Sequence, residues 1–355
     1  MGEVLRRQGR VDEAAASFGR AIACRPSPVV LAGLHRTRAL LRATGPRLDA
    51  SRQADALADL AEAIRFETDP ALRAGDHVWR ARIFFRANRP SEALAACDRA
   101  LALAPRDPEA HRVRISALME LKRYDDVLVA ADAYLEAGRP IVEIIEIRGL
   151  ARVARKDHSG AVADFAHALE LVPAADRAGR SRLLNERGWA YQYADAPRLA
   201  LADFKSSLLL DPDQGEALGG RGLARILLGE WREAVADAEA AVRRTPGAGS
   251  TSDGARDQQV QALFNAARIH ALAVEFAAQD VSRRGERAVT LYRRYRSRAI
   301  ELLEAALAGT TDPARRAEIL ADPALRPLRL GPGRGPDNAR ILSSPARQPS
   351  SGGRS

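Results

Sequence analysis

The sequence predicts an all-α fold built from stacked helix–turn–helix repeats. A short motif of small and large residues recurs along most of the 355 residues, and its preferred spacing is 34 residues. Hydrophobic residues make up 46% of the chain but aromatic residues only 5%. Alanine therefore supplies much of the apolar surface, and it has the highest helix propensity. A long chain of this kind grows by adding repeats to one core.

Each repeat has a small residue, a large residue four positions later, a second small residue after three more, and then a proline. In the first repeat these are Ala14, Phe18, Ala21 and Pro26. The first position recurs at Ala14, Ala56, Ala93, Val127, Ala161, Ala200, Ala234 and, in a more divergent repeat, Ala299. Three of the steps between these positions are 34 residues, and local insertions account for the longer ones.

Another small or apolar position lies twelve residues upstream of the motif, and glycine fills it at 2, 149, 188 and 222. Small residues on both helices let the two backbones approach closely, and the large residue fills the space between repeats. Proline ends the second helix because it has no N–H and disfavours helical conformation in the preceding residue. We therefore expect leucine at Gly188 or Gly222 to overpack the contact.

A 34-residue helix–turn–helix with these residue types at these offsets resembles the tetratricopeptide repeat (TPR) pattern. The resemblance covers nearly the whole chain. It implies a right-handed α-solenoid that has no enzymatic activity and no cofactor. In this family the first helices of successive repeats line a concave groove, which holds a peptide or a helix of another protein. The resemblance thus implies a protein–protein interaction scaffold, whose partner the sequence does not identify.

By position in the TPR pattern, nine residues are predicted to line the groove: Arg82, Phe85, Arg112, Ser116, Glu146, Arg182, Asn185, Trp189 and Gln192. Glu143 and Glu216 belong to the same predicted lining. The family's carboxylate clamp of Lys, Asn and Arg is not reproduced, since Arg182 and Asn185 are only a fragment of it. Trp189 has two interpretations, a binding hot spot or a ring packed against the next helix.

Changes in composition predict the boundaries within the chain. They are a truncated first repeat (1–26), the repeat array (27–246), a flexible Gly/Ser-rich loop (247–257), a divergent last repeat with a closing helix (258–330) and a disordered tail (331–355). We expect a long helix at 258–278, an interruption at 280–287 and a polar closing helix at 312–330. The first repeat lacks most of two helical turns, which suggests the C-terminal part of a longer reading frame.

Two other functions stay open. The last repeat resembles, at 263–267, 298–307 and 322–325, the TPR arrays that follow the catalytic domain of large bacterial serine/threonine kinases. That would make the chain a detached regulatory or docking arm of a bacterial kinase, although it has no Gly-rich phosphate loop and no His-Arg-Asp motif. An RNA-binding helical repeat would need basic residues at recurrent groove positions, and the mixed Glu/Arg lining disfavours it.

Charge and metal-ligand patterns narrow the function further. The net charge of +9 lies almost entirely in residues 281–355, so the array is not expected to bind nucleic acid. The basic–aromatic cluster at 292–298 either contacts nucleic acid or, as we favour, is a solvated helix face with its tyrosines packed inward. The six histidines lack metal-ligand spacing. No apolar run suffices to cross a membrane, and Cys24 and Cys97 are expected as buried thiols in a reducing cytoplasm.

Overall fold

A computed structural model describes residues 1–44, 49–138, 141–245, 253–284 and 286–329, without the side chains of 137, 253 and 280–288. Every regular element in these ranges is helical. The chain divides into two compact units, Met1–Asp157 and His158–Ser355.

The first unit contains α1 (Gly2–Arg7), α2 (Val11–Ala23), α3 (Pro28–Ala43), α4 (Ala50–Phe66), α5 (Pro70–Arg86), α6 (Pro90–Leu103), α7 (Pro108–Glu120), α8 (Tyr124–Ala137) and α9 (Val142–Ala154). The second contains α10 (His158–Leu171), α11 (Arg177–Tyr193), α12 (Pro197–Leu210), α13 (Gly215–Leu227), α14 (Trp231–Arg244), α15 (Asp253–Arg284), α16 (Glu286–Gly309), α17 (Pro313–Ala321), a 3-10 turn (Pro323–Leu325) and α18 (Arg326–Arg329).

Within each unit, helices pack as stacked pairs. Consecutive helices contact each other, and the first helices of neighbouring pairs also touch, as α5 touches α7 and α11 touches α13. The predicted all-α array of stacked helix pairs is therefore confirmed.

Three-residue turns whose middle residue has a left-handed backbone join several pairs of consecutive helices. The six middle residues are Gly9, Asn88, Lys122, Lys156, Asp195 and Gly229, with φ between 55° and 83°. In the turn between α5 and α6 the N–H of Arg89 donates to the Phe84 carbonyl at 2.9 Å, which satisfies a carbonyl left free at the helix end. Six residues, 44–49, separate α3 from α4, and 45–48 lie outside the described residues.

Asp-Pro pairs begin several helices. Asp69, Asp107 and Asp312 each accept a hydrogen bond from a backbone N–H of the first turn, at 2.8, 2.8 and 2.9 Å. The following proline occupies the first helical position, where a missing N–H removes no helical hydrogen bond. Asp107-Pro108 is therefore a cap followed by a helix start.

A phenylalanine seated on two glycines joins α11, α12 and α13. Phe204 on α12 is fully buried. A Cβ atom added at Gly188 on α11 or at Gly220 on α13 would come closer than 3.0 Å to its ring. The predicted role of the small and large positions is thus confirmed at Gly188 and Phe204, and Gly220 adds a second close approach.

The local structure differs from the prediction at several points. The first residues of α15, 253–257, are helical instead of loop, and the interruption predicted at 280–287 is narrower, since α15 ends at 284 and α16 begins at 286. The closing segment is split into α17, the 3-10 turn and α18, and it buries Ile319, Leu325 and Leu328, so it is not simply polar. Cys24 is exposed, whereas Cys97 is buried as predicted. Residues 247–252 and 330–355 lie outside the described residues.

Candidate functional site

The predicted groove residues lie on the first helices of the pairs and are divided between the units. Arg82, Phe85, Arg112, Ser116 and Glu146 belong to the first unit. Arg182, Asn185, Trp189 and Gln192 belong to the second, all on α11.

In the first unit, charged side chains on α5, α7 and α9 neutralise one another. Arg82 lies 3.6 Å from Glu109, Glu109 lies 2.6 Å from Arg112, and Arg112 reaches Glu143 at 3.0 Å. The hydrogen bond from Arg112 holds the pKa of Glu109 below its usual range. We call this chain of four residues the charge ladder. Its members already have partners, which leaves little unpaired charge for a ligand.

The other predicted residues of the first unit are partly or wholly covered. Phe85 is half-buried against the core between α5 and α6. The Ser116 hydroxyl donates to the Arg112 carbonyl at 3.1 Å. Glu146 is buried, with 7% of its surface exposed. None of these three offers a free polar group on an open surface.

In the second unit, the predicted residues on α11 differ in exposure. Arg182 is exposed and Gln192 is half-buried, whereas Asn185 and Trp189 are buried. The Asn185 amide donates a hydrogen bond to the Glu216 carboxylate on α13 and so ties the two first helices together. Asn185 is therefore a link beneath the surface, not an open contact residue.

Trp189 packs within the second unit. It is 8% exposed, and its ring meets the edge of Phe204 with centroids 5.5 Å apart. Its burial agrees with the packing interpretation and leaves little surface for a binding hot spot. Tyr193, one turn further along the same helix, is 54% exposed and stacks 6.0 Å from Trp189.

Tyr193 is the exposed aromatic residue of this face, and it is absent from the nine predicted residues. Its position four residues after Trp189 places both on one side of α11, which is the signal that could have identified it. Tyr193 and Glu216 are exposed to solvent, yet the surrounding protein removes enough water to raise the pKa of both side chains.

Beside this face, a cavity of about 470 Å³ opens between α13 and α15. The residues that line it include Gly215, Glu216, Gly219, Gln258, Gln261 and Asn265. A Cβ atom added at Gly219 would meet nothing closer than 3.8 Å. The missing side chain at Gly219 leaves this space open.

Buried arginine–aspartate pairs recur in the second unit, and they were not predicted from the sequence. Arg187 on α11 pairs with Asp203 on α12 at 2.7 Å, and Arg221 on α13 pairs with Asp237 on α14 at 2.6 Å. Both pairs are separated by sixteen residues. The sequence contains a signal for these pairs. An arginine directly precedes the small position in both repeats, and an aspartate directly precedes the large position sixteen residues later. These arginines are structural and are not available to phosphates.

The basic–aromatic cluster at 292–298 has its tyrosines on the inner side. Tyr295 is 9% exposed and meets Trp231 edge-on at 5.9 Å. Arg298 pairs with Glu239 at 2.8 Å, whereas Arg293 and Arg294 are exposed. The favoured interpretation, a solvated helix face with packed tyrosines, is confirmed for this part of α16.

Sites of two other kinds are absent from the described residues. They contain no group of three His, Cys, Asp or Glu side chains arranged to hold a metal ion. None of the helices described is long and apolar enough to span a bilayer.

The tetratricopeptide repeat family model matches residues 45–108, 79–140 and 185–249. Human mitochondrial import receptor subunit TOM70 (Homo sapiens) is 27% identical over 129 residues, which are 36% of this chain; the chain spans 21% of that receptor. A tetratricopeptide repeat protein from Parabacteroides merdae ATCC 43184 has a similar fold, with a TM-score of 0.54 and 17% identity over 84% of this chain and 98% of its own.

YrrB, a TPR protein described with an unusual peptide-binding site, covers 53% of this chain and 93% of its own at 18% identity and a TM-score of 0.45. The repeat motif, the stacked helix pairs and the family match together establish that the chain contains tetratricopeptide repeats, over residues 45–140 and 185–249.

Proposed function

We propose that this protein is a protein–protein interaction scaffold, and that the face formed by α11, α13 and α15 binds a peptide or a helix of its partner. TPR proteins generally mediate protein–protein interaction and are typically non-catalytic. The three first helices contact each other in order, so their outer sides form one continuous surface in the second unit.

The exposed side chains of Tyr193 and Glu216, on the neighbouring first helices α11 and α13 and beside the cavity, carry the proposal. An exposed tyrosine offers a large, rigid and amphipathic contact area, and such residues dominate binding energies at interfaces. A carboxylate nearby adds specificity, because an interface that leaves it unpaired is penalised. In the first unit, by contrast, the groove carboxylates Glu109 and Glu143 are already paired with Arg112.

Site-specific photo-crosslinking tests the proposal. A benzophenone amino acid replaces Tyr193 in one variant and Leu209 in the control. Leu209 lies on the second helix α12 of the same pair and is 77% exposed. Both variants are irradiated in lysate from the source cells, and mass spectrometry identifies the crosslinked segments. We expect a discrete segment from position 193 and none in common with position 209.

A synthetic peptide of that segment then gives a quantitative check. Fluorescence polarisation should show binding to the unmodified chain, weakened by about tenfold or more in Tyr193→Ala, as expected for an aromatic anchor. Identical adducts from both positions, or an affinity unchanged by Tyr193→Ala, would contradict the proposal.

A further inference from the structure

Glu216 differs from the other groove carboxylates in having no cation beside it. In the first unit, Glu109 and Glu143 both pair with Arg112. No ion pair to Glu216 occurs among the described residues, and its hydrogen-bond donor is the neutral amide of Asn185. The charge of Glu216 is therefore uncompensated within the described part of the second unit.

The cavity next to Glu216 is lined mainly by neutral groups. Gln261 donates to Asn265 at 3.0 Å, and Arg315 donates to the Gln261 carbonyl oxygen, so these amides already have partners. Gln258 is exposed at the mouth of the cavity. Arg244 also lines it, but it is engaged with Asp213 at 3.0 Å and with the Pro212 carbonyl at 3.1 Å.

A carboxylate that is partly desolvated and lacks a cation is unfavourable in the free protein. The raised pKa of Glu216 has desolvation as its main cause, which the Asn185 hydrogen bond offsets only in part. A ligand that brings a positive charge would remove this penalty. Guanidinium suits such a site better than ammonium because it is more weakly hydrated and presents several donors in a plane.

We propose that the cavity between α13 and α15 accepts an arginine side chain of the partner protein, with Glu216 as its counter-charge and the Gln258 amide as a second acceptor. This inference rests on the proposed function, since it specifies the chemistry of the segment bound on the same face. It reverses the polarity of the family's carboxylate clamp, because here the protein supplies the negative group.

A pair of small probes isolates this interaction from the rest of the interface. Nα-acetyl-arginine amide carries the guanidinium, and Nα-acetyl-citrulline amide is its neutral analogue of nearly the same shape. Each is titrated into the full chain and followed by two-dimensional ¹H–¹⁵N NMR. A single side chain is expected to bind with a dissociation constant on the order of millimolar, so titration to about 30 mM covers the range.

We expect the arginine probe to shift the backbone amides of Gly215 and Gly219 and the side-chain amide of Asn265. The citrulline probe should leave them unchanged. Glu216→Gln should abolish the shifts without loss of fold, because glutamine has the same shape and removes an uncompensated charge. Glu233→Gln, an exposed carboxylate on α14, changes the net charge equally and should retain them. Gly219→Leu should fill the cavity and weaken binding.

Three results would overturn the arginine pocket: equal shifts with citrulline, shifts that persist in Glu216→Gln, or no shift across the titration. Each leaves the proposed function standing if the peptide found by crosslinking still depends on Tyr193. Conversely, if the crosslinking experiment fails but the arginine probe binds as expected, the arginine pocket stands and the proposed peptide-binding face is contradicted.

Discussion

The two units use the same repeat spacing but fill it with different chemistry. The large position of the second helix holds Phe165 and Phe204 in two repeats of the second unit, where the corresponding central repeats of the first unit have Leu60, Cys97 and Ala131, all fully buried; Phe18 in the first unit and Ala238 in the second are exceptions to this contrast. The Phe204 ring needs the glycines at 188 and 220 opposite it. The repeat therefore fixes where a core residue lies but not how much of the stability it supplies.

Buried charge is organised differently in the two units. In the first unit, the carboxylates of Asp59, Glu67 and Asp76 lie at 3%, 3% and 0% exposure in a network that joins α3, the end of α4 and α5. Arg36 binds both Glu67 at 2.6 Å and Asp76 at 2.8 Å, and other side chains of α3 bind Asp59. The second unit relies on simpler pairs and on aromatic packing. A buried network of this kind specifies which helices meet, but it is costly to break.

The largest expected effect compares the same repeat position in both units. Phe204→Ala should destabilise the second unit by about 4 kcal/mol, because it removes a buried ring and leaves a cavity. Cys97→Ala, in the first unit, removes one sulfur atom and should cost about 1 kcal/mol. Urea denaturation combined with hydrogen-exchange mass spectrometry would assign each loss to its helices. Equal losses would show that the two cores are equivalent.

The second comparison tests the buried network. Asp59 accepts hydrogen bonds from His35 at 2.9 Å, Arg38 at 2.8 Å and Arg42 at 2.6 Å. Desolvation alone would raise the pKa of Asp59, but the bonds from Arg38 and His35 outweigh it and leave the pKa lowered. Removing the carboxylate leaves Arg38 without a counter-charge and Arg42 with only the exposed Asp55, so Asp59→Ala should cost about 3 kcal/mol in unfolding free energy.

Asp55 on the same helix is the matched control for Asp59. It is 56% exposed and lies 3.4 Å from Arg42, so Asp55→Ala should change the unfolding free energy by less than about 1 kcal/mol. The same denaturation experiment measures both variants. A similar loss of unfolding free energy in both variants would contradict the greater stabilising effect expected of the buried Asp59.

The smallest effect has opposite signs at adjacent glycines. Gly220→Ala would push a methyl group into the Phe204 ring and should cost about 1–3 kcal/mol. Gly219→Ala meets nothing closer than 3.8 Å and should stabilise the helix by about 0.5–1 kcal/mol, since alanine loses less conformational entropy. Thermal unfolding followed by circular dichroism distinguishes them. Shifts of the melting temperature in the same direction would refute the seating of Phe204 on Gly220.

The repeat positions were predictable from sequence because they follow from steric rules that act at fixed spacing. Gly188 and Phe204 could be paired from their offsets within the repeat alone. The buried pair of Arg187 and Asp203 repeated at the same spacing, but the abundance of arginine concealed it. A single sequence does not show whether two charged residues sixteen positions apart are both solvated or meet in the interior.

The candidate site was less predictable because exposure depends on how side chains stack. Trp189 and Asn185 occupy groove positions, yet Phe204 and Glu216 cover them, and Tyr193 becomes the open aromatic residue. Among the described residues Glu216 has no ion pair, and this depends on the arrangement of several helices, so it could not be predicted from the sequence. The kinase-array resemblance, the domain boundaries and the longer reading frame stay predictions.

The left-handed turns have a consequence for how such an array evolves. Asn88, Lys122, Lys156 and Asp195 adopt a backbone that glycine would hold more easily, as it does at Gly229. A non-glycine residue in this conformation lowers the free energy of unfolding by on the order of 1 kcal/mol. These turn residues are exposed, and each lies between two consecutive helices. Substituting one of them by glycine should therefore change the stability of that turn without altering the packing of other helices. Single substitutions at these turns can thus raise the stability of the array in small, independent increments.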